Sequence, residues 1–457
     1  MIGRFFELER RGTSVRREVV GGVTTFAAMA YIIVVNPAIL AFAGIPSGPG
    51  TVATILTAVV GSALMALWAN RPIAVAPYMG ENAFLAFGLA TMGITWQQRL
   101  GTVLVAGLGF AVLVLIGAGP KLASAISPSM KHSFAVGIGL FLLFLGLEQS
   151  GVVVSAAAGM KVDALVVPGT DVLRAPPVPL RLGDLRDPEV LLAIGGFLLI
   201  VVLQMRRVIG AILIGMIATG VLGYALGFGR PPAGVFALPF TGELSLAPIA
   251  LQLDVRGVLG IAFLPVLLTL FLVSFLDTLG TLLGLGAVGG MLDDRGNLPE
   301  IERPMMVNAV SCAFGALIGT STSGAYIESA TGIREGARTG LAALVTAALF
   351  AGTLFVIPLV EPLQTLRFAY APALIAVGIA MLPAARQLDF DDLSELVPAV
   401  ATIAMMVFSF NIANGLTAGL VLFPILKVAA GRAGDVTPGS WILAALCLTY
   451  YAFGLPH

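Results

Sequence analysis

The chain has 457 residues, 58% of them hydrophobic and only 11% charged, with 25 basic and 25 acidic side chains that cancel to zero formal charge. Soluble domains carry roughly a quarter charged residues, so at a mean hydropathy of +1.00 a water-soluble enzyme is excluded. A disordered chain is excluded as well, because low hydrophobicity is what keeps such chains open. What remains is an all-α polytopic membrane protein, with apolar runs able to span ~30 Å of hydrocarbon recurring along its length. The lipid bilayer is its first partner, and zero net charge points to no nucleic acid. Cys312 and Cys447 lie in apolar runs and read as small core residues. Two histidines leave almost no material for metal or triad chemistry, so neither a metal nor a cofactor is expected.

The N-terminal segment, 1–17, is mixed in charge and lacks the short apolar core and small-residue cleavage site of a signal peptide. Spans are predicted at 19–40, 51–69, 74–91, 99–118, 131–149, 188–204 and 207–228, and then at 258–285, 303–319, 320–335, 339–360, 370–384, 394–412 and 414–430. A last apolar piece, 440–454, is short for a crossing at ~1.5 Å per residue and reads as a tilted span or an interfacial helix. With the N-terminus placed in the cytoplasm, alternating sides put 17 of the 25 Lys and Arg residues on the cytoplasmic side. Six of the other eight fall in two long loops, 150–187 and 229–257, where the charge rule has least force.

Seven spans on each side of residue 230 predict an internal duplication, and an odd number per half makes the second copy inverted. AVGIGLFLLFLGL (135–147) resembles AVGIAMLPAARQL (376–388), and APYMGENA (76–83) has a counterpart in GAYIESAT (324–331). Inverted repeats with interrupted spans are the usual layout of secondary transporters.

Two spans do not read as simple helices. Pro72 and Pro77 rule out a regular helix before Tyr78, so an extended piece is expected there, followed by a helix starting near Met79. The hydroxyl run Thr320–Ser323 and Gly324 predict a second extended segment leading into a half-helix from about Ile327. Non-helical backbone at membrane depth survives only when buried in protein or lining a wet cavity. The N–H groups at Met79–Gly80 and Tyr326–Ile327 are then candidate ligand contacts.

Three acids fall within predicted spans away from their ends: Glu81, Asp277 and Glu328. Each costs ~2.5–3.5 kcal/mol at a helix centre, so such residues normally face a polar cavity and serve function. All three are candidates for proton coupling, because burial favours a protonated carboxyl. The structural alternatives are capping for Glu81 and Glu328 and a local clasp of Asp277 with Thr278 or Thr281. Asn82 offers a donor and an acceptor to a ligand edge. Phe84 and Tyr326 are suited to stack on a flat ligand, or simply to pack. Asn36, beside Pro37, reads as satisfying backbone freed by the proline.

At these residues the chain resembles the AzgA-like purine permeases, a branch of the nucleobase–cation symporters related to the nucleobase–ascorbate transporters. The motifs are GVTTFAAMAYIIVVNPAIL (22–40), ANRPIAVAPYMGENAFLAF (69–87), DTLGTLLG (277–284) and TSTSGAYIESATGIREGARTG (320–340), covering nearly the whole chain. The resemblance implies fourteen spans in two inverted seven-span repeats. It also implies a core domain (18–118 and 258–360) and a gate domain (119–257 and 361–431), followed by a C-terminal apolar segment, 432–457. It implies proton-coupled import of hypoxanthine, guanine or adenine across the plasma membrane (the inner membrane of a bacterium), and relatives with this fold are often homodimers. Gly80 and Asn82 match the family's third-span Gly-x-Asn, Glu328 its tenth-span acid, and Asp277 the second acid of its eighth-span pattern. The first acid of that pattern is replaced here by Ser274. Tyr78 stands where Gly is usual, and Glu81 where a small or apolar residue is usual. One account is that Glu81 supplies the carboxylate that Ser274 does not.

The expected substrate contacts are therefore Gly80, Glu81, Asn82, Phe84, Ser274, Tyr326 and Glu328. An anion transporter of the same fold is the alternative, but it calls for a cationic site, and no Lys or Arg lies mid-membrane. An uncoupled facilitator or channel is the other. A membrane enzyme would need a metal, nucleophile or cofactor constellation, and none is found.

Overall fold

In the computed structural model, residues 2–89, 92–160, 176, 178–294 and 297–453 are described. Lys161, Arg174 and Arg295, counted in the charge bias, lie outside them. The first half of the chain forms α1 (Val15–Met29), α2 (Ile32–Phe42), α3 (Ser47–Leu64), β1 (Val75–Pro77), α4 (Met79–Ala83), α5 (Trp96–Leu115), α6 (Pro128–Gln149), α7 (Pro188–Met205) and α8 (Ala211–Ala225). The second forms α9 (Leu264–Gly289), α10 (Glu302–Ile318), β2 (Ser323–Ala325), α11 (Ser329–Arg334), α12 (Gly340–Thr353), α13 (Arg367–Met381), α14 (Leu393–Phe408), α15 (Ile412–Ala429) and α16 (Pro438–Phe453).

Among the described residues, eight helices are long and apolar enough to cross a membrane, and a ninth crossing forms if α12 and the segment after it, bent by 82°, are one span. The segments expected at 74–91 and 320–335 are not continuous helices. Each is a strand followed by a half-helix. The chain is thus an integral membrane protein whose helices form two packed groups. In one, α5 lies on α10, and α12 packs on α1 and α3; in the other, α6 lies on α13 and α14, α7 on α8 and α13, and α14 on α15. The C-terminal α16 runs along α15.

The two strands meet at the centre of the first group. The helical run begun by α3 ends at Asn70, whose left-handed φ of 46° suits an Asn cap, and the prolines that follow keep the chain extended. On the other side α10 stops at Gly319, with φ of 99°. β1 and β2 pair antiparallel, Val75 opposite Ala325, Ala76 opposite Gly324 and Pro77 opposite Ser323. Tyr78 N donates to Thr322 O and Tyr326 N to Ala74 O, both at 2.9 Å, so each strand satisfies backbone groups of the other. Ser62 holds the outer edge of β1 at Val75 N and O, and Cys312 Sγ holds Ser323 N and O on β2. Cys312 is therefore a polar partner for bare backbone as well as a small core residue.

This pairing moves one predicted boundary. The second half-helix was expected from about Ile327, but α11 begins at Ser329, with Glu328 at its cap. The bond from Tyr326 N to Ala74 O extends the ladder past β2 and delays helix onset. Glycine is required opposite Ala76, because a Cβ on Gly324 would lie 2.1 Å from Tyr78 Oη.

Candidate functional site

The side chains expected to carry function collect around this strand pair. Glu81, in the first turn of α4, is buried, and its Oε2 accepts a hydrogen bond from Ser274 Oγ on α9 at 2.6 Å. The other oxygen, Oε1, is buried without a hydrogen-bond partner among the described residues. Asp277 lies three residues on from Ser274, hence on the same face of α9, and is half-buried. It is an electrostatic neighbour of Glu81, and Glu328 is an electrostatic neighbour of Asp277. Glu328 is half-buried, and its Oε1 accepts from Tyr31 Oη at 2.6 Å. Within the described residues, none of the three carboxyls belongs to an ion pair; those recorded join surface pairs or the cluster of Lys427, Asp392, Glu395 and Arg432.

Asn82 is fully buried. Its Nδ2 donates to Asn36 Oδ1 at 2.6 Å, and Asn36 Nδ2 donates in turn to Thr54 Oγ1 at 2.7 Å and Thr320 Oγ1 at 3.1 Å. Asn82 Oδ1 is left buried without a partner among the described residues. Asn36 therefore joins α2, α3 and the approach to β2, a wider role than satisfying backbone near Pro37. Tyr326 Oη donates to Pro77 O at 2.5 Å, which locks the strand pair. Tyr78 Oη bonds Thr278 Oγ1 at 3.1 Å, and Asn308 Nδ2 reaches the same hydroxyl at 3.1 Å. Phe84 is buried at the junction of α4 and the wide helical turn Phe84–Gly88. Gly80 faces α6 so closely that a Cβ there would lie 2.4 Å from Ile138 Cγ2.

The surroundings differ on the two sides of this cluster. Toward the far ends of α2, α6 and α14, Phe42, Phe87, Phe410, Phe141 and Phe144 pack ring on ring, with centroids 5.0–6.1 Å apart. Arg367 covers Phe42 at 5.5 Å. Near the acids, Ile327 is 53% exposed and Gly280 is exposed. Arg99, a buried cation in the first turn of α5, does not reach the acids. Its guanidinium donates to the carbonyls of Leu85 and Ala86, in the wide turn that follows α4, and of Ile94, just before α5.

The half-helices are short, five residues in α4 and six in α11. Side chains rather than long helix dipoles therefore dominate the local field. Among the described residues no group of three or more His, Cys, Asp or Glu is arranged to hold a metal. A groove of about 460 Å³ between α7 and α8, lined by Leu191, Leu199 and Leu222, has no titratable lining residue and is remote from this chemistry.

Sequence reasoning had singled out all three acids, Asn82 and Ser274. It had not singled out Tyr31, which sits in a long apolar run and looks like packing; its hydroxyl is the one clue. A buried polar chain with spare acceptors and no cation suits an uncharged solute that presents N–H donors.

Comparison with known proteins identifies the family. Residues 16–418 match the model described as Permease family. A chain from Methanocaldococcus jannaschii is 40% identical, covering 98% of this chain and 97% of its own. Adenine permease AdeP of Escherichia coli is 35% identical, covering 99% and 96% respectively. Guanine/hypoxanthine permease PbuO of Bacillus subtilis is 35% identical over 96% and 98%. Among solved structures, the transmembrane domain of the cyanobacterial bicarbonate transporter BicA superposes with a TM-score of 0.60 at 17% identity, covering 88% of this chain and 97% of that one. That last likeness concerns the fold alone.

Proposed function

Because this chain belongs to the Permease family, among whose members are adenine and guanine/hypoxanthine permeases, we propose that it imports a purine base together with protons. It is a transporter, not an enzyme, as its relatives are. The observation that carries the purine reading is the polar cluster itself: Glu81, Asn82, Ser274 and Glu328 gathered where two broken spans cross, with spare acceptors and no basic partner. A base offers ring N–H and amino donors, and Glu328, Glu81 and Asn82 accept them. Ser274 orients Glu81, Phe84 and Tyr326 supply the flat walls, and Gly80 lets the half-helix approach α6.

Proton coupling is read from Asp277, Glu81 and Glu328. A carboxyl that gains a proton in one state and releases it in another ties proton entry to the solute. One charge falling through 100 mV releases ~2.3 kcal/mol. At ~1.4 kcal/mol per tenfold ratio this supports roughly 40-fold accumulation.

The architecture proposed with this function has fourteen spans in two inverted seven-span repeats. The nine longer crossings, the shorter helices α8, α10 and α14, and the two strand–half-helix spans make up that number, with α16 added at the end. The antiparallel crossing of β1 and β2 supports an inverted relation between the halves. The two packed groups are the core (18–118 and 258–360) and the gate (119–257 and 361–431). The N-terminus and the 291–304 loop are cytoplasmic, the membrane is the bacterial inner membrane, and the working unit is a homodimer. In this orientation the phenylalanine cluster closes the outer side, and the pocket opens inward.

Anion transport is the competing reading, since BicA is named as a bicarbonate transporter. The absence of a cation beside the acids argues against it. The test is uptake of labelled hypoxanthine with competition by purines, pyrimidines and inorganic anions, run with and without an uncoupler. Purines alone should compete, and the uncoupler should abolish accumulation. Uptake insensitive to the uncoupler would mean facilitation, and competition by anions would overturn the purine reading.

A further inference from the structure

We propose that Tyr31 is a positioning residue for Glu328: its hydroxyl anchors one carboxylate oxygen so that the other faces the transported base. The inference rests on the reading of Glu328 as a substrate contact and adds the group that controls it.

Tyr31 lies at the break between α1 and α2, where the first span changes from one helix to the next. Its ring is 1% exposed, so packing fixes the side chain and the hydroxyl has no other place to go. The bond to Glu328 Oε1 is 2.6 Å, the length of a hydrogen bond from a hydroxyl to a charged oxygen. A second donor, the Glu328 backbone N–H, also acts on the carboxylate, and the neighbouring Ile327 is exposed. The Glu328 backbone is held independently, since its carbonyl accepts from Thr331 Oγ1 at 2.7 Å. Tyr31 therefore acts on the orientation of the carboxylate rather than on the course of the chain.

Five residues further on, Asn36 does the same for Asn82. The first span thus holds one functional side chain from each broken span, Glu328 from the tenth and Asn82 from the third. The groups facing the Tyr31–Glu328 pair are acidic or neutral: Asp277 on α9 and the Tyr326 hydroxyl beside β2, with no Lys or Arg among the groups acting on it.

The test uses full-length protein in liposomes and counterflow of labelled hypoxanthine, guanine and adenine, with pH equal on both sides. Tyr31→Phe keeps the ring. It is expected to hold the maximal rate within about twofold and to raise KM about tenfold. Glu328→Asp withdraws the carboxylate from Tyr31 by one methylene and should raise KM as well. Unchanged KM in Tyr31→Phe, with counterflow lost in Glu328→Gln, would overturn this inference and leave the Glu328 contact standing. A fall in rate with an unchanged KM would assign Tyr31 to packing and overturn it too. Wild-type counterflow in Glu328→Gln would instead remove Glu328, and with it the premise.

Discussion

Ser274 on α9 donates its hydroxyl to Glu81 on α4 across 2.6 Å, joining two residues 193 positions apart in the chain. The carboxyl of Glu81 thus lies directly beside the face of α9 that presents Asp277 one turn further on. A carboxylate carried on α4 and one carried at position 274 would serve neighbouring space. The prediction is a swap. Glu81→Ala should lower purine uptake at least tenfold, and adding Ser274→Asp should restore part of it, whereas Ser274→Asp alone should not raise uptake. Uptake is read against protein level in membranes. No recovery in the double variant would mean that the position of the carboxylate matters and not only its presence.

Gly324 and Tyr78 test the strand crossing. A Cβ on Gly324 would meet Tyr78 Oη at 2.1 Å, and both are buried. Gly324→Ala should destabilise the protein by ~1–3 kcal/mol, the usual cost of overpacking. Tyr78→Phe in the same chain should recover part of that loss, because it removes the clashing atom at the cost of the bond to Thr278. Thermal unfolding in detergent is the measurement. An unchanged unfolding temperature in Gly324→Ala would mean that the crossing is looser than described.

How much of this was legible beforehand follows from range. Pro72, Pro77 and the run Thr320–Ser323 announce broken helices through local chemistry, and an acid in an apolar span announces itself by its cost. The pairing of Val75 with Ala325 does not, because it joins residues 250 apart and neither has a side chain that specifies a partner. Tyr31 and Asn36 were opaque for the same reason: their importance lies in Glu328 and Asn82, which are remote in sequence. The helices α8, α10 and α14 are shorter than a straight crossing requires, so length and apolarity do not pick them out as spans.

Gly80 and Ile138 separate binding from movement. The third-span half-helix approaches α6 with no room for a side chain, since a Cβ on Gly80 would be 2.4 Å from Ile138 Cγ2. If the two helix groups slide past each other, Gly80→Val should leave hypoxanthine binding within about threefold in detergent while reducing uptake more than tenfold. Ile138→Ala should restore uptake by making room. Loss of binding and uptake together would place Gly80 in the pocket rather than at the sliding contact.

Asp392 gives a pH prediction away from the pocket. It caps α14, and its carboxylate accepts from Ser394, from Lys427 at 3.0 Å and from Arg432 at 2.6 Å. These partners, Ser394 first and then Lys427, hold its carboxyl well below the usual carboxylate range. A depressed carboxyl contributes stability that is fully present above its unfolded value and is lost as pH falls toward the folded one. Asp392→Asn should therefore unfold at a lower temperature than the parent near pH 7. The gap should begin to close below about pH 4, the ordinary value for Asp. A gap that stays constant as the pH is lowered would mean that the cap, not the charge, does the stabilising.

The central claim is that the two broken spans form the place where a base is held. The most direct measurement is an experimental structure of the protein with hypoxanthine bound. The base should lie at the crossing of β1 and β2, with a ring N–H within hydrogen-bond distance of Glu328 and its opposite edge toward Glu81 or Asn82. A base found in the groove between α7 and α8, or anywhere with no acid within reach, would contradict the account.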